Sequence, residues 1–138
     1  MIAIIRIKGK VKIRKEIEET LIRLRLGKKY TCVLIDEKDK TKLGMLKKVK
    51  DYVAFGEIEK GMLIRLIEKR GKRVDKKEIK DADKVADEIL NKKMPADLKP
   101  FFRLHPPRKG LKSSKKQYPR GCLGDHKKDI NKLIERML

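Results

Sequence analysis

The segment 99–120 constrains the fold of this chain more than any other. It reads KPFFRLHPPRKGLKSSKKQYPR and contains eight Lys or Arg residues but no Asp or Glu. Such a segment cannot form a hydrophobic core, because its charges would have to leave water. It cannot be a regular helix either, because Pro106 and Pro107 remove two N–H donors and keep the preceding residues out of the α region. The sequence therefore predicts an extended basic arm suited to a polyanionic partner.

The excess of basic residues limits the classes of partner. The 138 residues include 40 Lys or Arg and 20 Asp or Glu, which gives a formal net charge of +20. A charge of this size attracts nucleic acid, anionic membranes or acidic proteins. No apolar run approaches the ~20 residues of a membrane span. The first residues also lack the cleavage site of a signal peptide, so we expect a cytoplasmic protein.

The two cysteines give no support to a metal site or a disulfide framework. Cys32 and Cys122 are far apart, and neither belongs to a CxxC pair. Cys32 lies inside the apolar run TCVLI and is predicted to be a small core residue. We expect no metal and no cofactor.

The first sixty residues alternate between strand and helix patterns. Three short apolar runs rich in β-branched residues predict strands, at 1–8, 30–35 and 52–58. Amphipathic spacing predicts two helices between them, at 14–26 and 41–50. Gly27 is a stop signal for the first helix, and Thr41 is a candidate N-cap for the second. Residues 1–60 are thus predicted to form a compact α+β sandwich, in which two helices cover one face of a small sheet.

The second half, 61–138, reads as a helical extension. Apolar spacing predicts a helix at 59–69, and Asp75, Asp81 and Asp83 are candidate caps for short helices before Pro95. Asp125 can cap a last helix at about 126–138, whose apolar residues form a single stripe that should dock on the body: Ile130, Leu133, Ile134, Met137 and Leu138. The basic arm, 99–124, would then be held at both ends and project as a loop.

Two stretches without acids, 8–15 and 99–120, carry the predicted RNA-binding surface. Basic residues on irregular loops suit a curved phosphate backbone, and Arg can also stack on unpaired bases. By contrast, the lysines of 76–80 alternate with acids and are predicted to form a solvated helix face. The predicted RNA-binding residues are Lys8, Lys10, Lys12, Arg14, Lys47, Lys48, Arg103, His105, Arg108, Lys109, Lys112, Lys115, Lys116, Tyr118, Arg120 and His126.

Two other functions remain open at this point. His105 and His126 could be an acid–base pair of a nucleic-acid-processing enzyme. No acidic cluster for Mg²⁺ and no phosphate-binding glycine motif accompanies them. An architectural DNA-binding protein is the third alternative, but the sequence has no helix-turn-helix pattern. A non-catalytic RNA-binding protein is therefore the favoured hypothesis.

Several motifs resemble one family along nearly the whole chain and in the same order. They are IAIIRIKG (2–9), YVAFGEI (52–58), FRLHPPRKG (102–110), GCLGDH (121–126) and INKLIERML (130–138). Together they are similar to the archaeal form of the large-subunit ribosomal protein thirty family, whose eukaryotic counterpart is numbered seven. The bacterial form resembles only the first half, about 1–60.

The resemblance implies both a fold and a role. It implies a three-stranded, mainly antiparallel sheet (βαβαβ, ferredoxin-like) with two helices and a C-terminal extension. The implied role is a structural, non-catalytic component of the large ribosomal subunit, with large-subunit ribosomal RNA, nearby 5S rRNA and neighbouring ribosomal proteins as partners. The chain departs from the family where Lys109 and Arg120 precede a glycine, since the family often has a Gly pair at each place.

Overall fold

The computed structural model describes residues 1–9, 11–77, 79–91, 98–110, 115–118 and 120–138. These residues contain five strands and five α-helices. In chain order the elements are β1 (Ile2–Arg6), α1 (Lys15–Arg23), β2 (Thr31–Ile35), α2 (Lys40–Val49), β3 (Val53–Glu57), α3 (Lys60–Arg70), α4 (Ala82–Leu90), β4 (Phe102–Arg103), β5 (Gly124–Asp125) and α5 (Ile130–Met137). A 3₁₀ turn, Lys127–Asp129, leads into α5.

The sheet is larger than the sequence predicts. Its strand order is β4-β2-β1-β3-β5, with β1 antiparallel to both of its neighbours. The predicted three-stranded antiparallel unit therefore forms the centre of the sheet. The description as a three-stranded ferredoxin-like sheet with two helices is incomplete, because the predicted arm supplies a strand at each edge. β4 pairs antiparallel with β2, and β5 pairs parallel with β3.

Both faces of the sheet are covered by helices. Side chains alternate along a strand, so Ile4 and Val33 point to one face and Ile5 and Cys32 to the other. The first face packs on α1 and α2, and the second packs on α3, α4 and α5. Burial of β1 from both sides explains its nearly continuous apolar sequence. Cys32 is completely buried, as predicted.

The terminal helix docks through its apolar stripe, as predicted. All five stripe residues are buried. The Asp125 carboxylate accepts a hydrogen bond from the N–H of Lys127 at 2.8 Å, which is a local turn bond. The predicted Asp125 cap is wrong, because the N-cap residue of the 3₁₀ turn is His126 and that of α5 is Asp129. Asn131 adds a polar anchor, because its side chain accepts from the N–H of Glu59 at 3.0 Å and donates to the carbonyl of Glu57 at 3.2 Å. These bonds fix α5 to the junction of β3 and α3.

Three other helix predictions are corrected. Helix α1 ends at Arg23 with Leu24 as its C-cap, so Gly27 is not its stop. Helix α2 begins at Lys40, and its N-cap is Asp39, which accepts from the N–H of Lys42 at 3.2 Å. Thr41 therefore lies inside the helix. The described part of 75–80 is a turn and not a helix. The Asp75 carboxylate accepts from the N–H of Lys77 at 3.1 Å, and such a local bond competes with helix formation.

The described parts of the arm lie on the body instead of projecting from it. Phe102 is fully buried and Leu104 nearly so, which draws this segment onto the β2 edge. The N–H of Leu104 donates to the carbonyl of Tyr30 at 3.0 Å. The N–H of Arg108 then donates to the carbonyl of Arg136 at 3.0 Å, along the last turn of α5. The apolar residues among the charges, not the charges themselves, determine this path.

Candidate nucleic-acid interface

The strand register brings the basic connections together at one end of the sheet. β1 ends where β2 and β3 begin, because Ile5 lies opposite Cys32 and Arg6 lies opposite Val53. β4 leaves the sheet at this end, and β5 enters it there. The N–H of Ile7 donates to the carbonyl of Tyr52 at 3.1 Å, which also places the C-terminus of α2 here. We call this region the basic end.

The described parts of the two basic stretches, which are distant in sequence, meet at the basic end. Lys47 and Lys48, in the last turn of α2, lie there too and complement the negative end of the helix dipole. Lys28 and Lys29, which were not predicted, join from the connection before β2. Of the predicted residues, Lys10 and Lys112 lie outside the described part of the chain. The cations of the basic end are Lys8, Lys12, Arg14, Lys28, Lys29, Lys47, Lys48, Arg103, Arg108, Lys109, Lys115, Lys116 and Arg120; Lys8 and Arg103 are half-buried, and the others are exposed.

Charge is unequally distributed between the connections at the two ends of the sheet. The connections at the other end of the sheet alternate in sign, with Glu37 and Asp39 beside Lys38 and Lys40, and Glu59 beside Lys60. At the basic end, Asp51 directly precedes β3 and accepts a hydrogen bond from the side chain of Gln117 at 3.0 Å. The cations therefore outnumber the acids mainly at the end where the two basic stretches meet. We call the opposite region the mixed end.

Three cations of the basic end lie over aromatic rings. The distances to the ring centroids are 5.2 Å from Lys8 Nζ to Tyr52, 5.1 Å from Lys29 Nζ to Tyr30, and 4.8 Å from Arg103 Cζ to Phe101. Cation–π contact holds a long side chain in place while leaving one side of the charged group open. The guanidinium of Arg103 also donates to the hydroxyl of Thr31 at 3.1 Å. These cations are thus partly preorganised.

A buried arginine supports the loops of the basic end. Arg6 has 0 % of its surface exposed, and its guanidinium donates to the carbonyls of Lys8 at 2.9 Å, Leu26 at 2.7 Å and Gly9 at 3.4 Å. Burial lowers the pKa of this guanidinium, and the nearby charge of Glu18 opposes the shift. Arg6 is not among the residues predicted from the sequence to have a role at the site. The available signal was a single charge at the end of an otherwise apolar strand.

The backbone at the basic end adopts the left-handed conformation at several residues other than glycine. Lys12, Arg25 and Tyr30 have φ angles of 57°, 63° and 61°. Lys109 has φ of 64°, and Gly110 follows with 73°. A side chain in this region costs roughly 1–2 kcal/mol. Lys109 stands where the resembled family often has glycine, and in this chain the left-handed turn carries an exposed charge.

Two residues predicted to bind RNA are engaged inside the protein. His126 is only 6 % exposed, and its Nε2 lies 2.8 Å from the carbonyl oxygen of Cys122. Its ring lies 4.4 Å from that of Tyr118, whose hydroxyl donates to the carboxylate of Asp129. Burial lowers the pKa of His126. This cluster fastens the segment before β5 to the start of α5, so we leave His126 out of the surface.

The enzyme hypothesis requires His105 and His126 as a pair of free rings, but both rings contact main-chain oxygens in the structure. Nδ1 of His105 lies 2.7 Å from the carbonyl oxygen of Pro106, and Nε2 contacts the main-chain oxygen of Leu138. His126 is buried, as described above. Across the described ranges, no three His, Cys, Asp or Glu residues cluster in a way that could hold a metal ion. A search of the same residues finds no helix with the length and apolarity of a membrane span.

The fold and the basic end define a small, strongly cationic α+β protein with its positive charge concentrated at one end of a covered sheet. The family model described as ribosomal protein L30p/L7e matches residues 2–53. Three archaeal relatives are each named large ribosomal subunit protein uL30. The one from Archaeoglobus fulgidus is 41% identical, with 99% of each chain covered, and the one from Methanocella arvoryzae has the same three values. The one from Methanopyrus kandleri is 38% identical, with 95% of this chain and 99% of the relative covered. The chain belongs to the ribosomal protein L30p/L7e family, which confirms the resemblance seen in its motifs.

Proposed function

We propose that this protein is a structural, non-catalytic component of the large ribosomal subunit in the cytoplasm. It binds large-subunit ribosomal RNA through the basic end. The names of its full-length archaeal relatives support the assignment to the subunit. The observation that carries the binding mode is the strand register, which gathers cations from both basic stretches at one end of the sheet.

Binding would rest on charge neutralisation and shape. Lysines displace counterions from phosphates, and this sequence-independent term supplies much of the affinity. Arg108 and Arg120 are exposed, so each guanidinium can bind a phosphate through two N–H groups or stack on an unpaired base. Preformed loops reduce the entropy lost on binding. Lys8 and Gly9 are half-buried, and the guanidinium of Arg6 binds their carbonyls, so both residues are held in place before RNA binds.

The proposed surface contains the predicted cations Lys8, Lys10, Lys12, Arg14, Lys47, Lys48, Arg103, Arg108, Lys109, Lys112, Lys115, Lys116 and Arg120. We keep the predicted division into an RNA-binding core, 1–60, and an extension, 61–138, as part of the proposal. Packing of α3, α4 and α5 on the second face of the sheet supports a docked extension. As further partners we propose 5S rRNA and neighbouring ribosomal proteins, which the family resemblance implies.

Substitution of single arginines tests the surface. Arg108→Ala and Arg120→Ala should each weaken binding to a large-subunit rRNA transcript by tenfold or more, since a charged hydrogen bond contributes roughly 1.5–3 kcal/mol. The free energy of unfolding should change by no more than about 0.5 kcal/mol, as at other surface sites. Arg→Lys should restore part of the affinity. Lys38→Ala, at the mixed end, is the control and should bind normally.

Arg103 should behave differently from the other two arginines. Its side chain also bonds Thr31 and covers Phe101, so Arg103→Ala should lower both RNA affinity and stability. Fluorescence anisotropy and thermal unfolding on the same variants separate these effects. Equal loss of affinity in Lys38→Ala would show that only total charge matters. Unchanged affinity in Arg108→Ala and Arg120→Ala would exclude the basic end as the site.

A further inference from the structure

A second cationic cleft lies outside the basic end. It has a volume of about 610 Å³ and is formed where the C-terminal end of α3 meets the segment before β4. That volume is within the range of roughly 300–1,000 Å³ usual for ligand clefts. Its charged lining residues are Glu68, Lys72, Arg73, Lys76, Lys77 and Lys99. None of them belongs to the basic end.

Main-chain and side-chain bonds fix the two walls of this cleft. The N–H of Lys99 donates to the carbonyl of Lys72 at 2.8 Å, and Arg73 forms a β-bridge with Leu98. On the turn that follows, the Asp75 carboxylate pairs with the guanidinium of Arg73 at 3.2 Å. It also accepts the N–H of Lys77, as described above. The walls are therefore built by the fold and do not depend on the lysine side chains.

Four lysines of the cleft form no ion pair with any residue that the structure describes. Among the residues that the structure describes, no carboxylate lies within salt-bridge distance of the ammonium groups of Lys72, Lys76, Lys77 or Lys99. Lys76 has φ of 62°, a left-handed conformation that is costly for a side chain. The sequence predicted Lys76 and Lys77 to lie on a solvated helix face with interleaved acids. The structure instead turns them towards one concave surface.

We infer that this cleft is a second phosphate-binding site, which takes the backbone of an RNA segment other than the one at the basic end. The choice of RNA as partner rests on the proposed function. Lysines are point charges that suit phosphate oxygens of variable geometry. An acidic protein partner is less well matched, because the core of a protein interface is apolar and Ile79 is the apolar side chain in the described lining. With both sites occupied, the protein would hold two RNA segments together.

The test uses the full-length protein and a short RNA hairpin as probe. Amide NMR shifts of ¹⁵N-labelled protein report the two sites separately, and native mass spectrometry reports how many hairpins bind. The cleft variant replaces Lys72, Lys76 and Lys77 with Ala. A matched control replaces Lys38, Lys40 and Lys42 with Ala at the mixed end, so both variants lose the same charge. Glu68→Gln removes the acid from the cleft and acts in the opposite direction.

In the wild type and the control, the hairpin should shift amides at 72–77 and at Lys99, and a second hairpin should bind. The cleft variant should bind the second hairpin at least tenfold more weakly while its shifts at Lys8 and Lys47 persist. Glu68→Gln should tighten the second binding step severalfold. Equal second-site binding by the cleft variant and the control would overturn the inference.

Two further results would also decide the matter. If a polyglutamate peptide shifts the cleft amides and the hairpin does not, the inference is wrong and the cleft belongs to an acidic protein partner. If the hairpin shifts only the cleft amides and none at the basic end, the proposed function of the basic end fails while the cleft stands. Dispersed amide spectra of every variant show that each is folded.

Discussion

Replacement of Arg6 by methionine should both destabilise the protein and weaken RNA binding. The guanidinium makes two short hydrogen bonds, at 2.9 and 2.7 Å, and a longer one at 3.4 Å. Each short bond from a charged donor contributes about 1.5–3 kcal/mol. Methionine fills similar space without burying a charge, which offsets part of the loss. We therefore expect the free energy of unfolding to fall by about 3 kcal/mol.

The effect on binding follows from the position of the three carbonyls. They belong to Lys8, Gly9 and Leu26, in the two connections that carry basic residues at this end. Without Arg6 these connections lose their common anchor, and RNA affinity should fall although no surface charge is removed. Urea unfolding and RNA anisotropy, measured where the variant is fully folded, separate the two effects.

Arg14→Met provides the matched control for this experiment. Arg14 is exposed on the connection after β1, and its side chain makes no cap hydrogen bond to α1. The Arg14→Met variant should bind RNA more weakly, while its free energy of unfolding should change by no more than about 0.5 kcal/mol. The reasoning about Arg6 would be refuted if Arg6→Met matched Arg14→Met in stability. It would also be refuted if the folded Arg6→Met variant bound RNA with wild-type affinity.

Four further outcomes are expected. Burial lowers the pKa of His126. The stability that the neutral ring contributes is therefore full above the ordinary pKa of about 6.5 and is lost as the pH falls below it, by at most about 1.4 kcal/mol per pH unit. Thermal unfolding of His126→Gln should lack this part of the pH dependence. Leu133→Asp places a charge in the docked stripe of α5 and should cost several kcal/mol, with loss of hydrogen-exchange protection in 130–138 while 1–60 stays protected. Lys109→Gly should raise the free energy of unfolding by up to about 1 kcal/mol, because it relieves the left-handed side chain, while RNA affinity falls in an anisotropy titration. Burial raises the pKa of Cys32 to about 12, so a thiol reagent should label it only after urea unfolds the chain.

The local elements of the first half could be predicted because periodicity and composition agree there. β1, β2 and β3 are short apolar runs, and α1 and α2 carry their apolar residues at helical spacing. The predicted boundaries differ from the observed ones by a few residues at the ends, where helices and strands fray into turns. The stripe of α5 was equally visible in the sequence.

The edge strands could not be predicted, because each is two residues long and carries no periodic signal. Phe102 and Arg103 belong to β4 only because they pair with Cys32 and Thr31, which are distant in sequence. The same limit applies to the site. Charge identified the two basic stretches, but only the strand register shows that they meet at one end.

The predicted and observed roles also differ for side chains that can serve two chemical purposes. Tyr118 and His126 are residues that can contact RNA, yet they also pack well on each other and on Asp129. Composition cannot distinguish these uses. Arg6 presents the converse case, because a lone arginine in a strand gives no sign of the three carbonyls it will bind.

Co-sedimentation with large ribosomal subunits tests the central claim most directly. Subunits stripped of this protein are incubated with three proteins. These are the wild type, a basic-end variant in which Ala replaces Lys47, Lys48, Arg108 and Arg120, and a control in which Ala replaces Lys38, Lys40 and Lys42. All three proteins should be folded by thermal unfolding before use. Wild type and control should pellet with the subunits, while the basic-end variant should stay in the supernatant. Equal pelleting of the basic-end variant and the control would contradict the central claim.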